Sequence, residues 1–462
     1  MNAYRILFRG LRWLSPAIFA FAALAEDANW PRFRGPNGGG IGAAANVPIQ
    51  WTTNDYRWTV RLSGIGHSSP VVWGSRLFVT CGEPATGRRI VLCLNAASGR
   101  ALWQREYESQ MFSQSGDNSY ATATPTADAD GVVVTWTTPD QVTLLALDNQ
   151  GRDLWRRDLG KYVCIHGSGS SPLIIDDLVV LDNDQEDPKA LPPSVYAAPG
   201  APKSAGSSFL IGLDRKTGQT RWQLGRATSQ AAYITPCVYR PESGRPEIIL
   251  ASTLHGVTGV DPATGTVKWE LDKVLRGHLD GAGGKTNQQE EPLFTERLVS
   301  SPVVADGLVF ASEGRGSAGV RTVAVRPASE SNNTPPKLAY EITKSVPLVP
   351  TPVAKAGRLY LWADNGIVTC MRTATGEVLW REKVSGSFYS SPVCVNDRLY
   401  CAAKNGEVVI LAAADKFEVL GRVPLGEKCF ATPAIAGGVM YWRTTSHLFA
   451  LGGEKQSGRE PR

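Results

Sequence analysis

Apolar residues in this chain fall into short runs separated by turn residues, and one stretch shows the unit clearly. Thr351-Pro352-Val353-Ala354 is followed by Arg358-Leu359-Tyr360-Leu361-Trp362, by Ile367 to Met371, and by Thr375-Gly376 leading into Val378-Leu379-Trp380. Four apolar runs with turns between them predict a four-stranded antiparallel meander. Proline at a strand start sacrifices little, because that amide lies at the edge of the ladder. Asp or Asn with Gly between runs supplies the positive φ of tight hairpins.

The unit recurs. Proline-led strands start at Ser69-Pro70, Thr124-Pro125, Ser171-Pro172, Thr235-Pro236, Ser301-Pro302, Thr351-Pro352, Ser391-Pro392 and Thr432-Pro433. Glycine stands four residues before tryptophan at Gly99/Trp103, Gly151/Trp155, Gly218/Trp222, Gly265/Trp269 and Gly376/Trp380. Third strands end in Leu147-Asp148, Leu213-Asp214 and Val260-Asp261, where the carboxylate can bond its own turn. The fifth and seventh copies replace the tryptophan by Tyr340 and Leu420, which keeps an apolar packing residue there. A fixed repeat of this length marks a stacked architecture rather than two or three separate domains.

The two ends complete each other. The last copy runs from Thr432 through His447-Leu448-Phe449-Ala450-Leu451 and stops after three strands. Thr53-Asn54-Asp55-Tyr56-Arg57-Trp58 reads as an isolated fourth strand, with Asn54 in the glycine slot. The prediction is an all-β chain: an eight-bladed β-propeller of four-stranded antiparallel blades, its ring closed by the N-terminal strand. A seven-bladed ring is the alternative, should the fifth or seventh copy fail to form a blade.

Composition adds location and excludes some partners. Arg5, Arg9 and Arg12 precede an apolar run from Trp13 to Leu24 and a small-x-small site at Ala23-Leu24-Ala25, so residues 1–25 are expected to be a signal peptide. Export would place the mature chain in the periplasm or outside the cell, with 26–50 a lead-in, 51–453 the propeller and 454–462 a polar tail. No later run is long enough to span a bilayer, and no stable membrane anchor is expected. Loss of the three arginines lowers the formal charge from +5 to +2, which gives no electrostatic case for nucleic acid. The eight cysteines include no Cys-x-x-Cys, which argues against a covalent haem or a thioredoxin-like centre. Cys81 and Cys93 flank one hairpin and are candidates for a cross-strand disulfide, whereas Cys93, Cys237, Cys370 and Cys394 fit packing slots of the repeat.

With these residues in view, the chain resembles the pyrroloquinoline-quinone-type (PQQ-like) propeller repeat family. Val260-Asp261-Pro262-Ala263-Thr264-Gly265-Thr266-Val267-Lys268-Trp269 carries the motif, and Trp30-Pro31-Arg32-Phe33-Arg34-Gly35-Pro36-Asn37 is similar to the lead-in of exported bacterial members. The likeness covers about residues 30 to 453. It implies one of two roles: a quinoprotein dehydrogenase holding PQQ and calcium over the axis, or a non-enzymatic scaffold similar to BamB. The adjacent-cysteine pair of the dehydrogenases and the lipid-anchor cysteine of the scaffold branch are both absent from this sequence.

Loops from strand two to three, and from strand four to the next blade, emerge on one face of such a ring. Two long excursions, Asp182 to Ser208 and Lys273 to Arg297, fall on that face, and Gly281 to Glu291 reads as a flexible loop. Residues just before the proline-led strands approach the axis there: His67, Tyr120, His166, Tyr233, Arg297, Tyr389 and Phe430. His67 and His166 could shuttle protons or bind a metal, or bond a neighbouring blade's backbone. Trp362 and Trp442 end second strands and are candidates for a stacking platform, with packing between blades as the alternative. Asp182 and Asp184 open the first excursion and are candidate calcium ligands, with a solvated strap as the alternative. Gly167-Ser168-Gly169-Ser170-Ser171 feeds a strand, which excludes a nucleophile elbow. The leading expectation is a non-catalytic binding or scaffold module that takes a protein or small-molecule ligand on its loop-rich face as a monomer. The alternatives are a PQQ- and calcium-dependent oxidoreductase acting on an alcohol or sugar, and a polysaccharide-binding propeller.

Overall fold

A computed structural model describes residues 29–44, 47–164, 166–187, 207–279 and 286–453. The signal-peptide segment, the proline-rich stretch 188–206, residues 280–285 and the tail lie outside the described residues. Eight four-stranded antiparallel blades surround a central axis, and the first-strand order is the order of the proline-led starts. Each first strand begins directly after its proline, from Val71–Trp73 in blade 1 to Ala434–Ala436 in blade 8. The copies bearing Tyr340 and Leu420 both form complete blades. Helical structure among the described residues amounts to two three-residue turns, Pro36–Gly38 and Thr53–Asp55.

The ring closes where the sequence ends predicted. Tyr56–Arg61 pairs antiparallel with His447–Gly452, placing Tyr56 opposite Leu451, Trp58 opposite Ala450 and Arg61 opposite His447. The strand starts later than expected. Thr52 and Asp55 cap each other in a box that folds Thr53–Asp55 into a turn, and Asn54 does not occupy the left-handed region.

The glycine–tryptophan spacing is a lock between blades. Gly218 holds φ +69°, and a Cβ there would lie 2.6 Å from the Trp155 ring of the preceding blade. Gly99, Gly151, Gly265 and Gly376 receive Trp58, Trp103, Trp222 and Tyr340 in the same way. Each indole then donates to a carbonyl just upstream of that glycine: Trp58 to Ala96 at 3.1 Å, Trp103 to Asn149 at 3.0 Å, Trp155 to Arg215 at 3.0 Å and Trp222 to Pro262 at 2.8 Å. One bulky ring thereby buries apolar area and meets its own polar atom across the blade gap. The turn aspartates act as expected: Asp214 accepts the amides of Lys216 and Thr217.

Nearer the axis a second device joins the blades. At seven of the eight blade junctions the residue before the proline supplies a hydroxyl that accepts the equivalent amide of the preceding blade. The bonds run from Ser69 N–H to Thr124, Thr124 to Ser171, Thr235 to Ser301, Ser301 to Thr351, Thr351 to Ser391, Ser391 to Thr432, and Thr432 back to Ser69, at 2.9–3.1 Å. Proline cannot donate here, so at these junctions Ser/Thr-Pro offers one donor and one acceptor per blade.

The lead-in plugs the end of the axis away from the loops. Trp30 exchanges backbone bonds with Val72, the Pro31 carbonyl accepts from Ala127, Asn37 bonds Val238 in both directions at 2.7 Å, and Gly40 accepts from Cys394. Arg34 is fully buried, with its guanidinium spread over the carbonyls of Gly38, Gly39, Thr351, Pro352 and Pro392 at 2.6–3.2 Å. Gly40, at φ +69°, lies so close that a Cβ would stand 2.5 Å from that guanidinium.

Two sequence expectations are corrected. Lys273–Leu279 and Thr286–Pro292 pair antiparallel, so residues 286–291 of the stretch expected to be a flexible loop are strand, while 281–285 lie outside the described residues. All eight cysteines are free: the strand register sets Cys81 opposite Ile90 and Cys93 opposite Phe78, and the two thiols pack into different cores.

Candidate functional site

With one end of the axis plugged, the loop-rich face holds a cavity of about 420 Å³. Its floor is Phe33 from the plug and the ring of serine and threonine side chains, seven of whose eight hydroxyls accept a blade amide. Its walls come from the segments that enter each blade. Of the sequence candidates, His67, His166, Tyr233 and Arg297 line it, together with Tyr389 and Phe430.

One wall is aromatic. His67 stacks on Phe430 with ring centroids 4.3 Å apart, and Tyr389 meets Phe430 edge-on at 6.2 Å. Lys404 Nζ lies 4.3 Å from the Tyr389 centroid and 2.8 Å from Asp117. Burial, then the Arg443 charge, push His67 down to about 4 against a raising influence from Asp117, so the imidazole is neutral at physiological pH. The opposite wall is polar. Arg297 donates to the Tyr233 hydroxyl at 3.1 Å and pairs with Glu186 at 2.7 Å, while the Cys164 thiol lies 2.9 Å from the same hydroxyl. Burial pulls the Arg297 guanidinium down, but Tyr233 and Glu186 more than offset it and leave it raised. His166 is exposed at the mouth and lowered by partial desolvation and Arg297. Burial pushes the Cys164 thiol up to about 11, which holds it as the un-ionised thiol.

Three sequence candidates lie elsewhere. Tyr120 turns away from the axis, its ring under the Arg89 guanidinium at 4.5 Å and its hydroxyl bonded to the Phe112 backbone. Trp362 and Trp442 are fully buried between blades, Trp362 against Phe388 at 5.2 Å, because the second-strand position alternates into the blade gap instead of the axis. Asp182 and Asp184 are also buried, as the end of a strand rather than the start of a solvated strap. Asp184 pairs with Arg226 at 3.1 Å. The Asp182 carboxylate has no hydrogen-bond partner among the described residues, and burial and Asp184 raise it well above the usual carboxylate range with Arg226 opposing.

The PQQ and calcium implied by the repeat can be tested against these donors. Calcium takes roughly six to eight oxygen ligands. The carboxylates of the cavity wall, Asp117 and Glu296, are held by Lys404 and Arg315. Among the described residues no group of three or more His, Cys, Asp or Glu side chains converges as a metal site requires. This donor set does not fit bound calcium.

Sequence reading missed Phe33, Asp117 and Lys404. Phe33 lies between two arginines in the lead-in, and the Arg-Phe-Arg pattern ahead of Pro-Asn-Gly-Gly-Gly was its signal. Asp117 comes from the long connection after Tyr107, whose acidic tip reaches across to blade 7 with no pattern in the sequence to announce it.

Comparison with known proteins bears on the repeat as a whole. A family model described as outer membrane protein assembly factor BamB matches residues 47–187, 87–346, 342–416 and 364–454 in overlapping segments. BamB of Moranella endobia (strain PCIT) is 24% identical over 181 residues, a stretch spanning 37% of this chain and only 39% of that relative. The crystal structure of BamB from Moraxella catarrhalis superposes with TM-score 0.56 at 16% identity, covering 87% of this chain and 98% of that one. A quinohemoprotein alcohol dehydrogenase from Comamonas testosteroni gives TM-score 0.49 at 13% identity, over 96% and 83%. The likeness to the Moraxella catarrhalis structure speaks for the fold alone. The family model, matched along nearly the whole propeller, places this chain in the BamB family of PQQ-like repeat propellers.

Proposed function

We propose that this chain is an exported binding module that holds a protein partner at the mouth of its axial cavity. The carrying observation is the cavity itself: it opens only toward the loop-rich face, because residues 30–40 occupy the other end of the axis. Its wall groups are tied to one another, Arg297 to Glu186, Lys404 to Asp117 and Arg315 to Glu296, an arrangement suited to recognition. Assembly is what the matching family is named for, which supports a protein partner. Export is supported by the basic start and apolar run of residues 5–24.

The test is site-specific photo-crosslinking in the producing cell. A photoreactive residue at Arg315, on the rim, is expected to yield a discrete protein adduct, whereas one at Lys216, on the turns of the opposite face, yields none. Equal adducts from both positions would refute the assignment. The oxidoreductase alternative predicts a melting-temperature rise and dye-linked alcohol oxidation on adding PQQ and calcium to the purified chain.

A further inference from the structure

Five rings from five separate segments meet in the axial cavity: Phe33, His67, Tyr233, Tyr389 and Phe430, each partly exposed. From their setting we infer that the cavity takes an uncharged aromatic side chain presented by the partner. This deepens the protein-binding reading above and rests on it for the source of the side chain.

Volume narrows the guest first. About 420 Å³ lies at the small end of ligand pockets, enough for one or two bulky side chains and too little for a folded element. The walls narrow it further. Rings in a cage normally favour a cation, yet here the protein's own cations already sit against them. Arg297 lies 5.6 Å from the Tyr233 centroid, and Lys404 lies 4.3 Å from that of Tyr389 and 5.8 Å from that of Phe430. An ammonium guest would meet two like charges at close range. An anion gains little either, because Glu186 and Asp117 stand 2.7 and 2.8 Å from those same cations. The floor hydroxyls each accept a blade amide and keep an O–H to offer, so the floor can meet a polar edge of the guest while the rings take its faces. His67, neutral and stacked on Phe430, extends the apolar wall instead of adding charge. What remains complementary is a planar, neutral group that can pack edge-on or offset against the rings.

The experiment titrates the purified full chain with neutral N-acetyltryptophanamide, cationic tryptamine, anionic indole-3-acetate and N-acetylalaninamide, followed by ligand-observed NMR. The neutral indole is expected to bind tightest and the alanine probe not at all. Phe430→Leu, which keeps an apolar wall but removes a ring, is expected to weaken it about three- to tenfold. Val299→Phe, filling the cavity from another wall, is expected to abolish it while leaving the melting temperature unchanged. Tighter binding of tryptamine or indole-3-acetate, no binding of any indole, or binding that survives both variants would overturn the inference. Rim adducts without indole binding would sink this inference and spare the protein-binding reading. Indole binding without adducts would do the reverse.

Discussion

Arg34 is fully buried with no carboxylate paired to it among the described residues, and burial pushes its guanidinium down to about 9. Its charge is held by carbonyl dipoles: three from blades 6 and 7, at Thr351, Pro352 and Pro392, and two from its own loop. Arg34→Met keeps length and apolar bulk but leaves the three blade carbonyls without that donor. Each unmet buried acceptor costs about 1–3 kcal/mol. Relief from removing a desolvated cation offsets part of that sum. A net loss of about 3 kcal/mol is expected, a sizeable share of the roughly 5–15 kcal/mol of a folded chain. Arg34→Lys should fall between, since an ammonium has three donors for five acceptors and lacks the fork. Arg57, whose guanidinium stands 3.5 Å from the Gly452 carbonyl at the ring's outer edge, serves as the control. The assay is urea unfolding followed by tryptophan fluorescence, with Arg34→Met, Arg34→Lys and Arg57→Met run together. If Arg34→Met lies within about 0.5 kcal/mol of the parent, the plug is not what closes the axis, and the reasoning fails.

His67 is held near 4 in the fold against about 6.5 unfolded, so the unfolded chain binds the extra proton between those values and stability must fall as pH drops through that window. The loss reaches about 3 kcal/mol by pH 4, and His67→Gln should remove that part of the slope; identical slopes would contradict it. Asp364, buried and raised to about 6, works in the opposite sense, its contribution fading as pH rises from about 4 to 6, and Asp364→Asn should steepen the acid limb. Gly218→Ala forces a side chain into φ +69° against Trp155 and should cost about 2–4 kcal/mol, whereas Gly74→Ala, at φ +56° in open space, should cost about 1 kcal/mol; equal melting temperatures would deny the inter-blade lock. Thiol titration should find eight free cysteines after denaturation, with Cys164 the first to react in the fold because the other seven are buried; fewer than eight would mean a disulfide.

What the sequence revealed and what it hid divide along physical lines. The blades were legible because every copy must solve the same problem, packing one apolar wedge against the next unit. Gly-x-x-x-Trp and Ser/Thr-Pro are the residue signatures of two inter-blade bonds, so they survive even where Tyr340 stands in for tryptophan. The cavity residues His67, His166, Tyr233 and Arg297 were legible because a position just before a proline-led strand is delivered to the axis by topology. Tyr120 departs from that rule because Arg89 and the Phe112 backbone capture its ring, and spacing to the proline does not betray it, since Arg297 stands equally far from Pro302 and still lines the cavity. Trp362 and Trp442 were misplaced because strand periodicity alone does not say which of two buried directions a second-strand end takes. Asp182 and Asp184 looked like surface ligands because Arg226, which draws Asp184 inward, lies more than forty positions away in the chain. The plug was hidden for the same reason, its partners being scattered from Val72 to Cys394.

The cavity exists only if the ring is closed by its N-terminal strand, and hydrogen–deuterium exchange of the peptide covering residues 56–61 tests that most directly. Outer strands pair on one side only, so about half of these amides, those facing His447–Gly452, should exchange as slowly as the blade cores, and the rest quickly. Uniformly fast exchange across 56–61, with the blades still protected, would show an open ring and contradict the account.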